Sequence, residues 1–526
     1  MADQISPYDS NSARRTLFAA LLDARKTHGG SRPILVDGDE RVFTYNQTVR
    51  ASLALGRVLT EGTEAGEAVG VLLPTGLGSV LSIYALSAYG RVPAMLNFTA
   101  GQTNLRAALA AAKVKRVITA HRFVELGKFE ALEAWFRDQA ELVYLEEART
   151  KISVAGKLAA AVGSFFPNLL AAAPSPDSPA VFLFTSGTEG EPKGVALSHA
   201  NILANIEQVR SHLALHSTDI VFNPLPAFHS FGLTVGALMP LTLGIKAVLH
   251  PTPRQPHEIV RRIGEKKATI LLATDTFASQ YARAADGDEL QSLRLAVCGA
   301  ERLREETREL VRRRTKAEVL EGYGVTEAAP VIAANRPGKN KPGTVGHAVS
   351  GLECRVEPVE GIAEGGRLFV RGPNVMLGYL KPEKPGEIVP PPGGWHDTGD
   401  VVAIDAEGFL SIRGRLKRFA KIGGESVSLT SVEVCAGTLW PDHSHAAIAV
   451  PDGRKGESIV LVTTKGDATR AAFIDFARSH GVSELAAPRR IVTVAEIPVL
   501  GTGKTDYPAV TKLTAESGPP SDAGAT

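Results

Sequence analysis

The chain has 526 residues, 44% of them hydrophobic and 22% charged, so it is long enough for several packed layers and too apolar to be generally disordered. Its formal net charge of +2 gives no overall signature of nucleic-acid binding, and no nucleic-acid partner is expected. Its three cysteines are far apart and odd in number, which argues against a disulfide framework and fits a reducing, cytoplasmic location. The N-terminal stretch MADQISPYDSNSARR has no apolar core, so it is not expected to be a secretory signal.

Apolar runs typical of buried strands alternate with helical patterns over most of the chain. AVGVLLP precedes SVLSIYALSAYG, and VKRVITA follows NLRAALAAAK. The alternation continues through ATILLAT and RLAVCGA, and it predicts parallel sheets covered by helices. After about residue 342, short strands and glycine-rich turns predict a mixed or barrel-like subdomain. Beyond Arg418, a further mixture of strands and helices predicts a small separate domain.

One apolar segment, VAGKLAAAVGSFFPNLLAAA at residues 154–173, approaches the length of about 20 residues that a membrane span needs. It contains Lys157 and a central Pro167, so a spanning helix is not expected. We favour a linker helix between two lobes. The alternative is an amphipathic helix resting on the membrane surface, which would give the protein a peripheral contact with the inner face of the membrane.

The stretch LFTSGTEGEPKGVALSH, residues 183–199, concentrates glycines, hydroxyls and one lysine after an apolar strand-like run. Glycines let backbone N–H groups approach an oxyanion, and hydroxyl and ammonium groups add donors and charge. The segment is not the NTPase P-loop, because Pro192 precedes Lys193 where that pattern requires glycine. A Gly/Ser/Thr loop alone is more often an ordinary turn. A phosphate-binding role therefore depends on the motifs that accompany it.

Six further motifs follow in order: AFHSFG (227–232), CGAE (298–301), EGYGVTE (321–327), WHDTGD (395–400), GRLKRFAKIGGE (414–425) and LGTGK (500–504). Together with the first stretch they resemble the adenylate-forming superfamily, which includes acyl-CoA synthetases, peptide-synthetase adenylation domains and luciferases. The runs KRFAKIGGESVSL and ARSHGVSELAAPR are similar to the synthetase half of the bifunctional acyl-ACP synthetase/2-acylglycerophosphoethanolamine acyltransferase. No histidine has an aspartate five positions later, so the acyltransferase half of that enzyme is expected to be absent.

The resemblance implies an α/β fold. Its N-terminal domain, residues 1–416, would consist of two helix-covered, mainly parallel sheets and a small β-barrel-like subdomain. A mobile α+β domain, residues 417–513, would turn about a hinge at Lys417, and a disordered tail would occupy residues 514–526. Most relatives carry an acidic residue at the hinge, so Lys417 departs from the commoner pattern and agrees with the acyl-ACP synthetase version.

The resemblance also implies an activity. A medium- or long-chain fatty acid would be activated by ATP and Mg²⁺ as acyl-AMP and transferred to the phosphopantetheine thiol of acyl carrier protein. A basic rim for that acidic carrier would come from residues that cluster in the sequence: Arg413, Arg415, Lys417, Arg418, Lys421, Arg454, Lys455, Arg489 and Arg490. The alternatives are a ligase that joins fatty or aryl acids to CoA, and a nucleotide- or lipid-binding pseudoenzyme.

Residue roles follow from the same resemblance. Pyrophosphate would be held by Thr185, Ser186, Gly187, Thr188 and Lys193. The nucleotide would be bound by Gly299, Ala300, Glu301, Tyr323, Gly324, Asp400 and Arg415, of which Tyr323 would stack on adenine and the last two would bind ribose. Thr326 would touch phosphate and Glu327 would hold Mg²⁺. His229 would separate the acyl pocket from the nucleotide, Lys504 would reach the bond being made, and Lys421 would serve thioester formation.

Each of these residues also has a plainer interpretation. Glu327 after a threonine in a turn is usually solvated, and Asp400 after a glycine is often just a turn residue. Tyr323 could be an ordinary core residue, and a histidine among phenylalanines, such as His229, is more often structural. The sequence "FHSFGLTVGALMPLTLG" would supply the apolar wall of an acyl tunnel whose depth the sequence does not give.

Overall fold

In a computed structural model of the protein, the described residues are 7–185, 193–362, 364–422, 425–452, 456–480, 484–500 and 504–516. They form two compact units. The first comprises most of the chain up to Pro342 together with Gly346–Glu353 and Arg371–His396. The second comprises Gly343–Val345, Cys354–Val370 and the chain from Asp397 onward.

The strands are, in chain order, β1 (Pro33–Val36), β2 (Val42–Thr44), β3 (Ala68–Val71), β4 (Val92–Met95), β5 (Arg116–Thr119), β6 (Glu141–Tyr144), β7 (Pro179–Thr185), β8 (Lys193–Ser198), β9 (Ile220–Asn223), β10 (Lys246–Leu249), β11 (Ile270–Ala273), β12 (Leu295–Cys298), β13 (Glu318–Gly324), β14 (Val331–Ala334), β15 (His347–Ala348), β16 (Glu353–Glu357), β17 (Gly366–Arg371), β18 (Gly378–Lys381), β19 (Lys384–Val389), β20 (His396–Ile404), β21 (Leu410–Arg415), β22 (Phe419–Ile422), β23 (Glu425–Ser428), β24 (His445–Asp452), β25 (Gly456–Thr463) and β26 (Arg490–Thr493).

The α-helices are α1 (Leu17–His28), α2 (Tyr45–Leu59), α3 (Leu77–Ala88), α4 (Gln102–Ala111), α5 (His121–Gly127), α6 (Glu130–Arg137), α7 (Leu145–Thr150), α8 (Val154–Phe165), α9 (His199–Arg210), α10 (Met239–Leu243), α11 (Pro256–Lys266), α12 (Asp275–Ala284), α13 (Glu305–Arg314), α14 (Leu429–Leu439), α15 (Arg470–Ser479) and α16 (Tyr507–Glu516). A π-helix occupies Phe231–Leu238. Short 3₁₀ turns include Thr326–Ala328 and Leu416–Arg418.

The first unit contains two large sheets. A nine-stranded sheet has the order β15-β14-β13-β12-β11-β9-β10-β1-β2, and an eight-stranded sheet has the order β19-β18-β8-β7-β4-β3-β5-β6. Their central strands pair in parallel, and antiparallel strands lie at the edges of the nine-stranded sheet and at one end of the eight-stranded sheet. Strands such as β3, β4 and β11 are buried at every position, which is why they appear in the sequence as continuous apolar runs. The predicted α/β class with parallel, helix-covered sheets is confirmed.

The second unit contains two smaller sheets. One has the order β16-β17-β20-β21, and the other has the order β23-β22-β25-β24 with β26 paired in parallel to β25. Helices α14 and α15 bury Val432 and Phe473 in a separate apolar core with strands β22 and β25. The predicted α+β character of the C-terminal region is confirmed, whereas the hinge at Lys417 stays a prediction.

The apolar segment at 154–173 begins as helix α8, and a 3₁₀ turn follows at Pro167–Leu169. In the part of the chain that the structure describes, no helix has the length and apolar character that a membrane crossing requires. The helix stands between β6 and β7, which belong to the same eight-stranded sheet, and it packs on α2. The interpretation as a linker between two lobes is therefore wrong.

Candidate active site

The predicted phosphate-binding loop joins two paired strands. Strand β7 ends at Thr185 and β8 begins at Lys193, and these two residues are antiparallel partners. The Thr185 hydroxyl donates to the Lys193 carbonyl oxygen over 3.4 Å. Ser186, Gly187 and Thr188 lie outside the described residues. The sheet therefore fixes both ends of the loop, and the Lys193 side chain is exposed at one of them.

Lys193 and Glu327 contact the same tyrosine. Strand β8 also pairs with β18, where Val195 lies opposite Tyr379. The Lys193 ammonium lies 5.1 Å from the centre of the Tyr379 ring, within the range of a cation–π interaction. The Tyr379 hydroxyl donates to Glu327 Oε1 over 2.7 Å. Sequence reasoning missed Tyr379; the local signal was an aromatic residue within the strand-like run MLGYLKP.

The turn that carries Glu327 is held in place by hydrogen bonds to its main-chain carbonyl oxygens. It directly follows β13, and the Met376 N–H donates to the Glu327 carbonyl oxygen over 2.8 Å. The buried Asn374 amide donates to the Ala328 carbonyl oxygen, also over 2.8 Å. Both donors precede Tyr379 on the same segment. The segment that supplies the tyrosine thus also fixes the turn that supplies the carboxylate.

The AFHSFG motif reaches the same turn. The Ser230 and Thr326 hydroxyl oxygens are 3.4 Å apart. The His229 ring lies 4.7 Å from the Phe228 ring, and Phe228 meets Phe98 edge-on at 4.9 Å. His229 is half-buried. In the chain it stands between Phe228, which makes this aromatic contact, and Ser230, which approaches Thr326. This position is compatible with the predicted separating wall and equally with a structural histidine.

The segment expected to line an acyl tunnel is a buried π-helix. Leu233 and Leu238 belong to the main apolar core of the first unit. Its glycines are needed for close approach: a Cβ at Gly232 would lie 2.3 Å from the Pro226 carbonyl oxygen, and one at Gly236 would lie 2.1 Å from Asn223 Nδ2. The glycine spacing therefore serves packing against the end of β9. Such π-helical turns are rare and occur frequently at functional sites.

The predicted adenine slot follows β12. Ala300 has a left-handed backbone with φ of 69°, a conformation that costs free energy for residues other than glycine. The Glu301 carboxylate accepts hydrogen bonds from the Thr276 N–H and hydroxyl, each 3.1 Å long. A Cβ at Gly299 would lie 3.3 Å from the Phe231 ring. Glu301 therefore stabilises the start of α12, and the strained Ala300 turn is held between packed elements.

The EGYGVTE motif covers the end of β13. Tyr323 is half-buried and is the strand partner of Ala333. Gly324 has no room for a side chain, because a Cβ would lie 2.2 Å from the Pro330 carbonyl oxygen. Glu321 is buried, accepts from the Leu303 N–H over 3.1 Å and lies 3.6 Å from the Arg308 guanidinium. Burial raises the pKa of the Glu321 carboxyl to about 7.

The predicted ribose ligands form a pair in the second unit. Asp400 and Arg415 are cross-strand partners on β20 and β21, and Arg415 Nε donates to Asp400 Oδ1 over 3.0 Å. The Asp400 side chain is 5% exposed and the Arg415 side chain 52%. Asp400 is thus a buried strand residue, and its interpretation as an ordinary turn residue is wrong.

Two predicted lysines also lie in the second unit. The Lys421 ammonium donates to the Ser426 hydroxyl over 2.6 Å across the β22–β23 pair. Lys504 is exposed, and its carbonyl oxygen accepts from the Leu500 N–H over 2.7 Å. A bridge between Val499 and Thr505 closes this loop. Residues 501–503 lie outside the described part, and the roles of both lysines stay predictions.

Magnesium would find few protein ligands here. Among the described residues, no group of three or more histidine, cysteine, aspartate or glutamate side chains could hold a metal ion. Mg²⁺ commonly takes one or two carboxylates and completes its shell with phosphate and water oxygens. Glu327 accepts one hydroxyl from Tyr379, and a carboxylate has further lone pairs to offer. A single carboxylate near the start of β8, where the predicted phosphate-binding loop ends, fits such an ion.

Comparison with known proteins identifies the family. The AMP-binding enzyme family matches residues 22–380. The chain belongs to this family. ATP-bound MatB from Rhodopseudomonas palustris has the same fold, with a TM-score of 0.80 at 24% identity over 96% of this chain and 99% of that one.

Two ligases are similar in sequence. The long-chain-fatty-acid–CoA ligase of Salmonella typhimurium is 32% identical over 336 residues, which cover 61% of this chain and 59% of that enzyme. The long-chain-fatty-acid–CoA ligase of Bacillus subtilis is 27% identical over 537 residues, with 95% of this chain and 94% of that enzyme covered. The match to the Salmonella protein thus spans less than two thirds of its length.

The contact between Tyr379 and Glu327 predicts a graded loss of nucleotide binding. Tyr379→Phe keeps the ring beside Lys193 and removes the hydroxyl, and because hydrogen bonds to charged groups are strong, we expect affinity for ATP with Mg²⁺ to fall about tenfold. Tyr379→Leu should lose a further factor of about three, because the cation–π contact also disappears. Titration calorimetry would measure both.

The matched control is Tyr144→Phe. Tyr144 also donates its hydroxyl to a glutamate, Glu133, but it lies on β6, at the end of the eight-stranded sheet opposite to β18 and β19. ATP affinity should not change in this variant. If Tyr379→Phe bound ATP as tightly as Tyr144→Phe does, the hydroxyl would have no role in the site.

Burial of Glu321 predicts a pH-dependent stability. Because its pKa is raised from 4.5 to about 7, the folded protein binds this proton more tightly than the unfolded chain does. The stability that this proton contributes is therefore fully present below pH 4.5 and is lost as the pH rises to 7. The free energy of unfolding decreases over this range by on the order of 3 kcal/mol. The free energy of unfolding of the ligand-free protein would be measured with urea at pH 5 and pH 8. Glu321→Gln should remove the decrease between these two pH values that Glu321 causes. The control Glu309→Gln, on α13 with a half-exposed side chain, should keep the wild-type difference between the two pH values. An equal difference in Glu321→Gln would contradict the assignment.

Proposed function

We propose that the protein is an AMP-forming acid–thiol ligase that activates a medium- or long-chain fatty acid with ATP and Mg²⁺. The observation that carries this proposal is the contact of Lys193 and Glu327 with Tyr379 beside the loop that follows β7, in a chain of the AMP-binding enzyme family. Cationic and hydroxyl donors gathered at one point suit the stabilisation of a leaving pyrophosphate.

In the proposed first half-reaction, a carboxylate oxygen of the fatty acid attacks the α-phosphorus of ATP. The bond between that phosphorus and the bridging oxygen breaks, and pyrophosphate leaves. Lys193 and Thr185 would hold the pyrophosphate together with the loop between them, and Thr326 would donate to phosphate. Mg²⁺ held by Glu327 would supply further positive charge to the phosphate oxygens. Positioning two anions is the main task, so these groups would act chiefly by orientation and charge.

The nucleotide and the acyl chain need further contacts. Adenine would lie beside Tyr323 and the turn at 299–301, and ribose would be bound by the Asp400–Arg415 pair, whose buried carboxylate already has one donor. His229 would stand between nucleotide and acyl chain. In the second half-reaction, a thiolate attacks the acyl carbonyl carbon of the adenylate and AMP leaves. The C-terminal domain, residues 417–513, would turn about Lys417 and present Lys504 in the first step and the region of Lys421 in the second.

We favour CoA over acyl carrier protein as the thiol acceptor. The similar proteins from Salmonella and Bacillus are named as CoA ligases. Three cations of the basic rim expected for an acidic carrier pair with carboxylates of the second unit: Arg413 with Glu364, Arg418 with Glu433, and Arg489 with Asp452. Cations whose charge is balanced by a neighbouring carboxylate attract an acidic partner less than cations without one. Arg454 and Lys455 lie outside the described residues.

Acyl carrier protein is the second candidate, and it rests on the likeness of the KRFAKIGGESVSL run to acyl-ACP synthetases. Either acceptor is consistent with a cytoplasmic location, which we also propose. A pseudoenzyme has little support, because Lys193 and Glu327 are both present and in contact with one tyrosine.

An acceptor comparison tests the proposal directly. The pure protein is incubated with ATP, Mg²⁺ and fatty acids of graded length, with CoA, with phosphopantetheinylated carrier protein or with neither, and products are identified by mass. We expect AMP and pyrophosphate in every productive reaction, and acyl-CoA at a higher rate than acyl-carrier protein. A carrier-protein rate that is higher and falls steeply with added salt would reverse the choice of acceptor. Release of phosphate and ADP in place of pyrophosphate and AMP would overturn the assignment as an AMP-forming ligase.

The proposed role of Lys504 predicts a separation of the two half-reactions. In Lys504→Ala, ATP–pyrophosphate exchange should fall at least about a hundredfold, because a charge at the reacting phosphate is lost. Thioester formation from supplied acyl-AMP should stay within about twofold in a single-turnover assay, since that step would not use this lysine. Lys512→Ala, on the exposed side of α16, is the control and should alter neither step. Equal loss of both half-reactions in Lys504→Ala would contradict the division.

A further inference from the structure

Helix α8 packs with its small residues inward and its large apolar residues outward. The buried positions are Gly156, Ala160, Gly163 and Ser164, and they face helix α2, on which α8 packs. The outward positions are Val154, Leu158, Val162 and Phe165, which are 74%, 64%, 52% and 68% exposed. These four residues follow one another at intervals of four, four and three, so they form a single stripe along the helix.

The stripe continues past the end of the helix. Phe166 is 63% exposed and Leu169, in the following 3₁₀ turn, is 70% exposed. A Cβ at Gly163 would lie 2.4 Å from Leu170 Cδ1, so the glycine lets Leu170 fold back against the helix while its neighbours point outward. Contiguous apolar surface of this kind is uncommon on soluble proteins and marks an interaction site. We name these six exposed residues the α8 surface: Val154, Leu158, Val162, Phe165, Phe166 and Leu169.

The charged residues in the sequence that contains the α8 surface have one sign. Between Glu147 and Asp177 the sequence contains Arg149, Lys151 and Lys157 and no acidic residue, and all three cations are exposed. The Arg50 guanidinium, on α2, lies 5.9 Å from the Phe165 ring.

We propose that the α8 surface binds an anionic lipid bilayer, with α8 lying in the plane of the interface. A continuous apolar stripe flanked by cations is suited to this: the apolar side chains enter the boundary of the acyl chains, and the cations lie near the headgroups. The helix, at 12 residues, lies on the bilayer and does not cross it. The stripe contains no hydrogen-bonding side chain, whereas protein interfaces are usually rich in polar contacts. Binding depends on this surface alone and occurs whether or not the chain ligates fatty acids.

Vesicle flotation with the full-length chain tests the proposal. The probes are vesicles of phosphatidylcholine with about one third phosphatidylglycerol, and vesicles of phosphatidylcholine alone. We expect the wild type to float with the anionic vesicles. The double variant Leu158→Gln/Phe165→Gln should bind them at least about tenfold more weakly, since it lacks two apolar side chains that would be buried in the bilayer. Lys151→Gln/Lys157→Gln should bind anionic vesicles about fivefold more weakly for each charge removed and neutral vesicles unchanged.

The matched control is Leu126→Gln. Leu126 is 72% exposed but lies on α5, outside the α8 surface, so vesicle binding should not change. All variants should melt at the wild-type temperature, because the substituted side chains are exposed. Absence of wild-type flotation, or equal flotation of the Leu158/Phe165 variant, overturns the proposal. A wild type that does not float but dimerises in sedimentation equilibrium, with dimerisation lost in that variant, would show that a second copy covers the surface instead.

Discussion

The candidate site depends on the pairing of strand β8 with both of its neighbours. On one side, pairing with β7 sets Thr185 opposite Lys193 and brings together the two ends of the predicted phosphate-binding loop. On the other side, pairing with β18 sets Tyr379 opposite Val195, near enough for its ring to meet the Lys193 ammonium. A shift of either register by one residue would turn these side chains to the opposite face of the sheet. The backbone hydrogen bonds of one strand thus define where the cation, the hydroxyl and the carboxylate meet.

This arrangement explains which site residues could be predicted from the sequence. Thr185 and Lys193 stand at the two ends of one short loop, and the composition of that loop, taken together with the motifs that follow it in the sequence, predicts an anion site without any knowledge of the fold. Tyr379 could not be found in the same way, because its role arises from strand pairing between segments far apart in the sequence. Nothing in MLGYLKP distinguishes a tyrosine that contacts Glu327 from an ordinary strand residue.

The fold class was predictable for a related reason, and the exceptions are informative. Buried parallel strands appear as continuous apolar runs, so β3, β4 and β11 could be recognised locally. The π-helix at Phe231–Leu238 could not, since its glycines report close approach to Asn223 and the Pro226 carbonyl oxygen, which only the folded chain brings near. The orientation of helix α8 could not be predicted either, because an apolar segment is expected to bury its large side chains. In this helix the small residues are buried instead, because they form the face that packs on α2.

In the second unit, a partly buried ion pair connects Arg418, the residue next to the predicted hinge, to the helix that follows Lys504. The Arg418 guanidinium donates to Glu433 over 2.8 Å and lies 3.6 Å from the centre of the Tyr507 ring. The Tyr507 hydroxyl donates to the same carboxylate over 3.0 Å. Burial opposes the charge of Arg418, but the Glu433 carboxylate outweighs it and raises the pKa of the guanidinium.

Removing one partner from such a cluster leaves a partly buried charge without compensation and is destabilising, so Arg418, Glu433 and Tyr507 hold these segments together. Tyr507 begins α16, three positions after Lys504, and Arg418 follows Lys417 directly. The loop that carries Lys504 and the chain that leaves Lys417 are therefore parts of the same packed body. A rotation at Lys417, as the proposed function requires, would carry Lys504 with it as a rigid extension, and the loop would not need to refold to move.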